Sequence, residues 1–319
     1  MSLQTWNPWT YPLPRAPRKP REHGSASYKS ARPSARARVR GVLTVLLLVV
    51  TTANAVLTLW DRNWLVGPTA MNGSAGGTAL VVLTIGVPLL GGTGWLARHG
   101  RPVWVALQAG AVAYLTYNAV MFVFATPFNS LFLLDVAQFG LAVWSLGALL
   151  VELLCCRVPV PSWSRWAAGW VGLVTLANAA VWLVGIVPVV LSGAPSRATQ
   201  GLGVATNPVW VQDLSLWPPA AAIVAVALWK GRPWCVPVAA ALTTFWVLES
   251  VGVEIDQWFG VRADPGSPVV SLSLVPGLLV LAVLGCLPTS ALLRATDAAS
   301  RPSGPGTAPP RRRRHAWTS

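Results

Sequence analysis

Two copies of the pattern Asn-x5-Asp are the feature of this sequence with the clearest chemical content. The first runs from Asn129 to Asp135 and the second from Asn207 to Asp213, and an Ala-Thr pair precedes both. In each copy the Asn is suited to cap a helix N-terminus, because its side-chain oxygen can accept from free backbone N–H groups. The Asp then falls in the second helical turn. If the two carboxylates face each other in a low dielectric, they would hold a shared proton or a cation.

Four more polar side chains interrupt apolar stretches of the chain, namely Tyr117, Asn118, Asn178 and Glu249. Amide and ionisable groups are costly in hydrocarbon, so each one indicates either a function or a contact between helices. With the topology derived below, all four lie toward the extracytoplasmic ends of their helices. We therefore expect one polar pocket that opens to the extracytoplasmic side, lined by Asp135, Asp213, Glu249, Asn118, Asn178, Asn207, Asn129 and Tyr117.

Eight apolar stretches position these side chains. They cover residues 41–60, 76–97, 102–125, 130–153, 166–190, 208–229, 233–253 and 268–292. Each is long enough to cross about 30 Å of hydrocarbon as an α-helix. The composition agrees, since 54% of the 319 residues are hydrophobic and only 11% are charged, against about 25% charged in soluble domains.

The sequence therefore predicts an all-α fold, a polytopic transmembrane bundle of about eight helices. Asn118 lies on the predicted helix before the first Asn-x5-Asp copy, and Asn178 lies on the predicted helix before the second copy. The third and fourth stretches and the fifth and sixth are thus predicted to be repeats of one helical hairpin.

The Lys and Arg residues lie almost entirely on one side of the predicted membrane. Of the 24, that side holds 21 and the other side holds Arg62, Arg197 and Arg262. Because basic loops stay in the cytoplasm, this alternation predicts a multi-pass protein of the cell membrane with both termini cytoplasmic. Arg197 and Arg262 lie in loops that could fold over the mouth of the pocket.

The two ends of the chain, residues 1–40 and 293–319, are predicted to be disordered basic cytoplasmic tails. Both are rich in Pro, Ser and Arg, so they bury too little surface to offset the entropy of ordering. A signal peptide is the alternative for the first segment, since the apolar run from residue 42 and the sequence Ala-Asn-Ala at 53–55 resemble one. The apolar run continues to Trp60, which favours a spanning helix.

The sequence lacks the residue patterns of most enzymes and cofactor-binding sites. The sequence has no Walker lysine motif, Gly-x-Ser-x-Gly elbow or His-Glu-x-x-His pair, so no catalytic residue is predicted. The three histidines lie in predicted cytoplasmic segments, which argues against an intramembrane haem, copper or zinc site. We expect no cofactor and leave a metal ion open. The net charge of +14 lies in tails and short loops, a pattern that favours contact with anionic lipid over nucleic acid.

At four short segments the chain resembles a family of uncharacterised prokaryotic multi-pass membrane proteins. These are residues 117–118 (Tyr-Asn), 127–133 (Pro-Phe-Asn-Ser-Leu-Phe-Leu), 206–209 (Thr-Asn-Pro-Val) and 213–214 (Asp-Leu). The resemblance covers roughly residues 100–255. It implies the same fold class and marks those positions as candidates for a functional role, but it implies no activity.

Three functions are compatible with this polar chemistry. A protein that binds or transports a cation, a small solute or a lipid headgroup needs clustered acids and a broken helix, which Pro218 and Pro219 could supply. A structural or assembly subunit would use the same groups as contacts between helices. An intramembrane lipid-modifying enzyme would use Asp135, Asp213 or Glu249 as acid or base, but the missing nucleophile pattern weighs against it.

Overall fold

The computed structural model describes residues 35–193 and 206–299, together with residues 196, 199, 203 and 204 of the loop between them. Within this part of the chain every regular element is a helix and none is a strand. Ten α-helices of the described residues form eight spans, all long and apolar enough to cross a membrane. The predicted all-α bundle is therefore confirmed. The predicted tails, apart from residues 35–40 and 293–299, lie outside the described residues.

In the described part of the chain the α-helices follow one another without intervening sheets. In chain order they are α1 (Ala35–Trp60), α2 (Thr69–Val81), α3 (Val87–Leu96), α4 (Pro102–Phe124), α5 (Phe132–Cys155), α6 (Ser164–Ser192), α7 (Pro208–Ser215), α8 (Trp217–Trp229), α9 (Cys235–Ala263) and α10 (Val275–Ala298). A π-helical turn joins α2 to α3, so that the second span is continuous from residue 69 to residue 99.

The sixth span is interrupted between α7 and α8. At Leu216 the backbone has a φ of −121° and a ψ of −63°, outside the helical region. Pro218 and Pro219 follow in the first turn of α8, and proline cannot donate a backbone hydrogen bond to the preceding turn. The broken helix expected from these prolines is thus present.

Successive spans alternate in direction, because each is joined to the next by a loop, and their ends form two faces. We call the face with the start of α1 and the end of α10 the terminal face, and the opposite one the distal face. On the terminal face Arg40 pairs with Glu152 at 2.5 Å, and Arg101 pairs with Asp297. These ion pairs join α1 to α5 and the start of α4 to α10.

The centre of the bundle is formed by α4 and α9, which are the most buried of the eight spans. α9 packs along α2, α4 and α10. Its contact with α2 is close because α2 presents glycine there. A Cβ on Gly73 would lie 2.8 Å from the carbonyl oxygen of Phe259, and one on Gly77 would lie 2.8 Å from that of Ile255. Small residues spaced by four allow two membrane helices to approach in this way.

α6 lies at the edge of the bundle. Its main contacts are with α8 and α7, and its large apolar side chains, such as Leu176, Val184 and Leu191, are exposed. We call α6, α7 and α8 the peripheral hairpin. It meets the centre through contacts of α7 with α4 and of α8 with α9.

Two helix ends on the terminal face extend into segments that were predicted to be tails. α1 begins at Ala35 rather than at residue 41, and α10 ends at Ala298 rather than at residue 292. The ion pairs of Arg40 and Asp297 lie in these extensions. The charged side chains of these extensions lower their hydropathy, so the sequence predicted tails there. In the structure Arg40 and Asp297 form ion pairs with residues of other helices, and both segments are helical.

Three helix ends on the distal face also differ from the sequence-based boundaries. α2 begins at Thr69 rather than at residue 76, and α9 ends at Ala263 rather than at residue 253. Both added segments contain polar residues, and the two segments pack on each other. Ser74 of α2 donates to the backbone carbonyl of Asp256 of α9 at 3.3 Å. α10 begins at Val275, after a turn in place of the helix predicted from residue 268.

Candidate functional site

The Asn residues of the two Asn-x5-Asp copies have different local roles. Asn207 is the N-cap of α7, as predicted, and accepts from the Val209 N–H at 3.0 Å. Asn129 is not a helix cap, because α5 begins only at Phe132. It accepts from the Leu131 N–H at 2.8 Å within the preceding turn. This turn holds Asn129 in the loop between α4 and α5.

Asp213 has the largest number of side-chain partners among the three predicted acids. It lies in α7, and its Oδ2 atom accepts from Trp182 Nε1 at 2.7 Å and from Asn178 Nδ2 at 3.4 Å. Both donors are on α6, so the peripheral hairpin closes around this carboxylate. Tyr117 of α4 lies close enough for its hydroxyl to interact with the same carboxylate. Asp213 therefore connects the peripheral hairpin to the centre of the bundle.

Glu249 lies at the midpoint of α9, not near its end as predicted, because α9 extends well past residue 253. Its Oε2 atom accepts from Asn118 Nδ2 at 3.2 Å. Asp213 and Asp256 are both close enough to repel its charge. Carboxylates from α7 and α9 thus share one region of the bundle.

A buried hydroxyl without a partner lies beside these acids. Tyr114 is fully buried, its hydroxyl has no hydrogen bond within the described part of the chain, and its charged neighbours are Glu249 and Asp256. The same hydroxyl lies 3.0 Å from the position that a Cβ on Gly252 would take, so the absence of a side chain there makes room for it. The region therefore holds an unused donor next to two carboxylates.

Three aromatic rings pack against one another, and one of them belongs to Tyr117, which interacts with Asp213. The ring centroids of Tyr117, Trp217 and Phe245 lie 4.5 to 6.1 Å apart, and the rings are tilted against one another. The indole N–H of Trp217 donates to Gln212 at 3.1 Å. Ring faces attract cations, more strongly where water is excluded. We call the whole group the acid–aromatic cluster: Tyr114, Tyr117, Asn118, Asn178, Trp182, Asp213, Trp217, Phe245, Glu249 and Asp256.

Asp135 lies outside the acid–aromatic cluster, which corrects the expectation of one pocket with all three acids. Its Oδ1 atom accepts from Asn54 Nδ2 at 2.7 Å, and Asn54 Nδ2 also donates to Gln138 Oε1 at 2.9 Å. Asp135 and Asp213 are both buried, as a repeated hairpin requires. They nevertheless share no hydrogen-bond partner within the described residues, because the donor to Asp135 is on α1 whereas the donors to Asp213 are on α6.

The acids of the cluster have no basic partner within the described residues. The ion pairs found there lie on the terminal face. Arg262 stacks over the ring of Trp258, 4.9 Å from its centroid, and Arg197 lies outside the described residues. Any charge on these carboxylates must then be balanced by protons or by a bound cation.

Two surface depressions of the protein lie elsewhere. One of about 440 Å³ is lined by Trp258, Phe259, Arg262 and Ala263, and one of about 400 Å³ is lined by residues of α1 between 48 and 56. Neither includes a residue of the acid–aromatic cluster. The outward-opening pocket therefore stays a prediction.

The sequence reasoning missed five members of the cluster, namely Tyr114, Trp182, Trp217, Phe245 and Asp256. A signal for Asp256 was present, since its spacing of seven residues from Glu249 places both on one face of a helix. It was overlooked because the helix was predicted to end before Asp256. Trp182 likewise lies one turn beyond Asn178, on the same face.

No family model, curated protein or solved structure matches this chain. The class of protein therefore follows from the fold and the site. The eight apolar spans of the described residues make it a multi-pass membrane protein, and carboxylates of α7 and α9 come together inside its bundle.

Proposed function

We propose that this membrane protein binds a small organic cation at the acid–aromatic cluster and carries it across the membrane. The observation that supports this most directly is the grouping of three carboxylates, without a basic partner in the described chain, near Tyr117, whose ring packs with those of Trp217 and Phe245. Carboxylates supply the opposite charge, and ring faces supply cation–π attraction. An ammonium group satisfies both at once.

The members of the cluster differ in how firmly they are held. Asp213 accepts from Trp182 at 2.7 Å, whereas Glu249 accepts only from Asn118, at 3.2 Å. Of these two, Glu249 is therefore the acid that a ligand can engage at the lower cost in existing bonds, and the third acid, Asp256, has its buried Oδ1 atom without a hydrogen bond in the described chain. The unpartnered hydroxyl of Tyr114 offers a donor or an acceptor to the ligand next to it.

Access to the cluster requires helices to move, because its side chains are packed together. The interruption at Leu216 offers a place for such movement, since it lies between Asp213 and Trp217 and divides the span. Transporters commonly place broken helices at their substrate sites. The peripheral hairpin carries Asp213 together with its α6 donors, Trp182 and Asn178, so that they can move as one unit.

We also propose that the distal face is extracytoplasmic and the terminal face cytoplasmic, in the cell membrane. The 21 to 3 division of basic residues supports this orientation. The chain is further proposed to belong with the prokaryotic multi-pass family that it resembles over residues 100–255.

The test is a thermal-shift measurement on the full chain purified in detergent. Tetramethylammonium chloride should raise the midpoint of unfolding relative to sodium chloride at the same ionic strength, because a ligand of the folded state stabilises it. Glu249→Gln should lose this response. Asp264→Asn is the matched control, since Asp264 lies in the loop after α9 and bonds only within its own turn.

Two results would count against the proposal. One is a wild-type protein whose unfolding midpoint responds to neither tetramethylammonium nor a primary amine such as spermidine. The other is an equal response in Glu249→Gln and Asp264→Asn, which would place any binding elsewhere.

A structural or assembly subunit is the second candidate, and α6 is the observation that favours it. Gly169 and Gly172 of α6, three residues apart, have open space where a Cβ would lie, and small residues on one face allow close packing with another membrane helix. Native mass spectrometry from detergent distinguishes the two, since this candidate requires a defined oligomer or a co-purifying subunit.

A further inference from the structure

The hydroxyl of Tyr114 lies between two carboxylates of α9. A Cβ on Gly252 would meet this hydroxyl at 3.0 Å, so the hydroxyl rests on α9 at the level of Gly252. Glu249 precedes Gly252 by three residues and Asp256 follows it by four, a spacing that places all three on one face of the helix. The hydroxyl therefore has one acid a turn before it and another a turn after it.

Two atoms of this arrangement are buried without a hydrogen-bond partner in the described chain, namely the Tyr114 hydroxyl and Asp256 Oδ1. Tyr114 is fully buried, and both Glu249 and Asp256 are close enough for their charges to act on its hydroxyl. Unpaired buried groups are costly. A hydroxyl can donate one hydrogen bond while it accepts another, so a single one can join the two carboxyl groups.

The three groups follow one another toward the distal face. α9 is the seventh span, so it begins on the terminal face and ends on the distal face, at Ala263. At 1.5 Å per residue, Glu249 lies about 21 Å from that end and Asp256 about 10 Å. The Tyr114 hydroxyl lies between these levels. A proton at the middle of the bundle thus has successive acceptors on the way out.

The other titratable groups that face these acids are themselves acidic. They are Asp213 of α7 and Tyr117 of α4. The helices α2 and α8, which also pack on α9, contain no titratable side chain. In α10, Cys286 is exposed, and Arg294 and Asp297 lie within the last five residues, at the terminal face. The acids of α5 are bonded to residues of α1.

The charged residues of α9 itself are also placed apart from this line. Glu254 is two residues from Asp256 and therefore lies on the opposite face of the helix. Arg262 stacks over the ring of Trp258 at the distal end. Within the described chain, Glu249 and Asp256 thus have a neutral hydroxyl between them and no basic side chain beside them.

We propose that Tyr114 passes the proton of Glu249 to Asp256 and so connects the centre of the bundle to the distal face. In this step the carboxyl group of Glu249 gives its proton to the Tyr114 oxygen, while the hydroxyl proton of Tyr114 moves to Asp256 Oδ1. Tyr114 is neutral before and after the step. Glu249 becomes charged, Asp256 becomes neutral, and Asp256 then releases the proton to water on the distal side.

This pathway deepens the proposed function, because Glu249 is the acid at which the organic cation is proposed to bind. Its use in transport rests on that proposal: a cation that binds at Glu249 replaces the proton, and one proton leaves for each positive charge that enters. The charge of the site is then the same with either occupant, which avoids an uncompensated charge inside the membrane. The proton transfer itself needs no organic cation and can be measured without one.

The experiment follows the deprotonation of Glu249 by time-resolved infrared spectroscopy after a jump from neutral to alkaline pH. It uses the full chain purified in detergent, without an organic cation. The carboxyl C=O band of Glu249 is identified by its loss in Glu249→Gln. Tyr114→Phe keeps the ring but removes the hydroxyl, and it should slow the decay of this band about a hundredfold, the low end of what a positioned proton-transfer group contributes. Asp256→Asn should slow the decay to a similar extent.

Thr116→Val is the matched control. It also removes a buried hydroxyl of α4, but one that bonds to the carbonyl of Val112 in its own helix, and the decay should proceed at the wild-type rate. Thermal unfolding separates proton transfer from a structural role of Tyr114. Because a hydroxyl without a partner adds little to stability, the unfolding midpoint of Tyr114→Phe should equal or exceed that of the wild type.

A wild-type rate of decay in Tyr114→Phe would overturn the proposal, even if Asp256→Asn fails to fold. The absence of the Glu249 carboxyl band at neutral pH would overturn it as well, since Glu249 would then hold no proton to pass on. A chain that ignores tetramethylammonium but shows the slowed decay in Tyr114→Phe would lose the organic-cation site and keep the proton pathway. The two proposals can therefore fail independently.

Discussion

Replacing Gly77 with alanine should destabilise the protein, because α2 and α9 are in backbone contact at this position. A Cβ there would lie 2.8 Å from the carbonyl oxygen of Ile255 and 2.9 Å from the Cα atom of Asp256. Ordinary van der Waals contact begins at 3.4 Å, so the helices must separate by about half an ångström. Neither obstructing atom belongs to a flexible side chain. Overpacking of this kind lowers the free energy of unfolding by about 1–3 kcal/mol.

The assay follows the reaction of Cys235 with a thiol-reactive fluorogenic dye during heating, after the three other cysteines are replaced by serine. Cys235 is fully buried, so it reacts only when the bundle opens. Gly147→Ala is the matched control, since a Cβ at that position of α5 meets nothing within 4 Å. Its midpoint should equal or exceed that of the parent protein. Equal midpoints for Gly77→Ala and Gly147→Ala would refute the close contact between α2 and α9.

Two other contacts and the orientation of the chain lead to measurable outcomes. A double-mutant cycle with Arg40→Ala and Glu152→Gln should give a coupling energy of about 1–2 kcal/mol in the same assay. This is the low end for a charged pair, because Glu152 is partly exposed. A coupling energy near zero would contradict the pairing. Asn207→Ala should cost about 1 kcal/mol by removing the cap of α7, whereas Asn207→Asp should keep it. In a cysteine-free background, Ser267→Cys should react with an impermeant maleimide in intact cells and Lys230→Cys only after permeabilisation. The reverse pattern would invert the proposed orientation.

The spans themselves could be predicted from the sequence, because apolar length is a property of each segment alone. The stretch 208–229 coincides with the sixth span, and 102–125 differs from α4 by one residue. The start of α2 and the end of α9 could not be predicted in this way. Ser74 and Asp256 lie in polar segments that cover each other, and the hydropathy of one segment does not reveal burial by another.

For the candidate site, the sequence predicted which polar side chains are buried but not which of them meet. Asp135 and Asp213 have similar local sequences and both are buried, yet their partners lie on different helices. Asn118 is one helix away from Asp135 in the chain but bonds to Glu249, 131 positions further on. Such pairings depend on the packing of the whole bundle, and a single sequence carries no local pattern for them.

The contact between α2 and α9 has a consequence for biosynthesis. Ser74 and Asp256 meet across it but are separated by 182 positions in the chain. At about 5–20 residues per second, α9 is made roughly 10 to 35 s after α2. During that interval the glycine face of α2, with Gly73 and Gly77, is open to lipid or to the helix of a neighbouring nascent chain. Small-residue faces associate readily in membranes, so the insertion of α9 is the step that ends the exposure of α2 to mispairing.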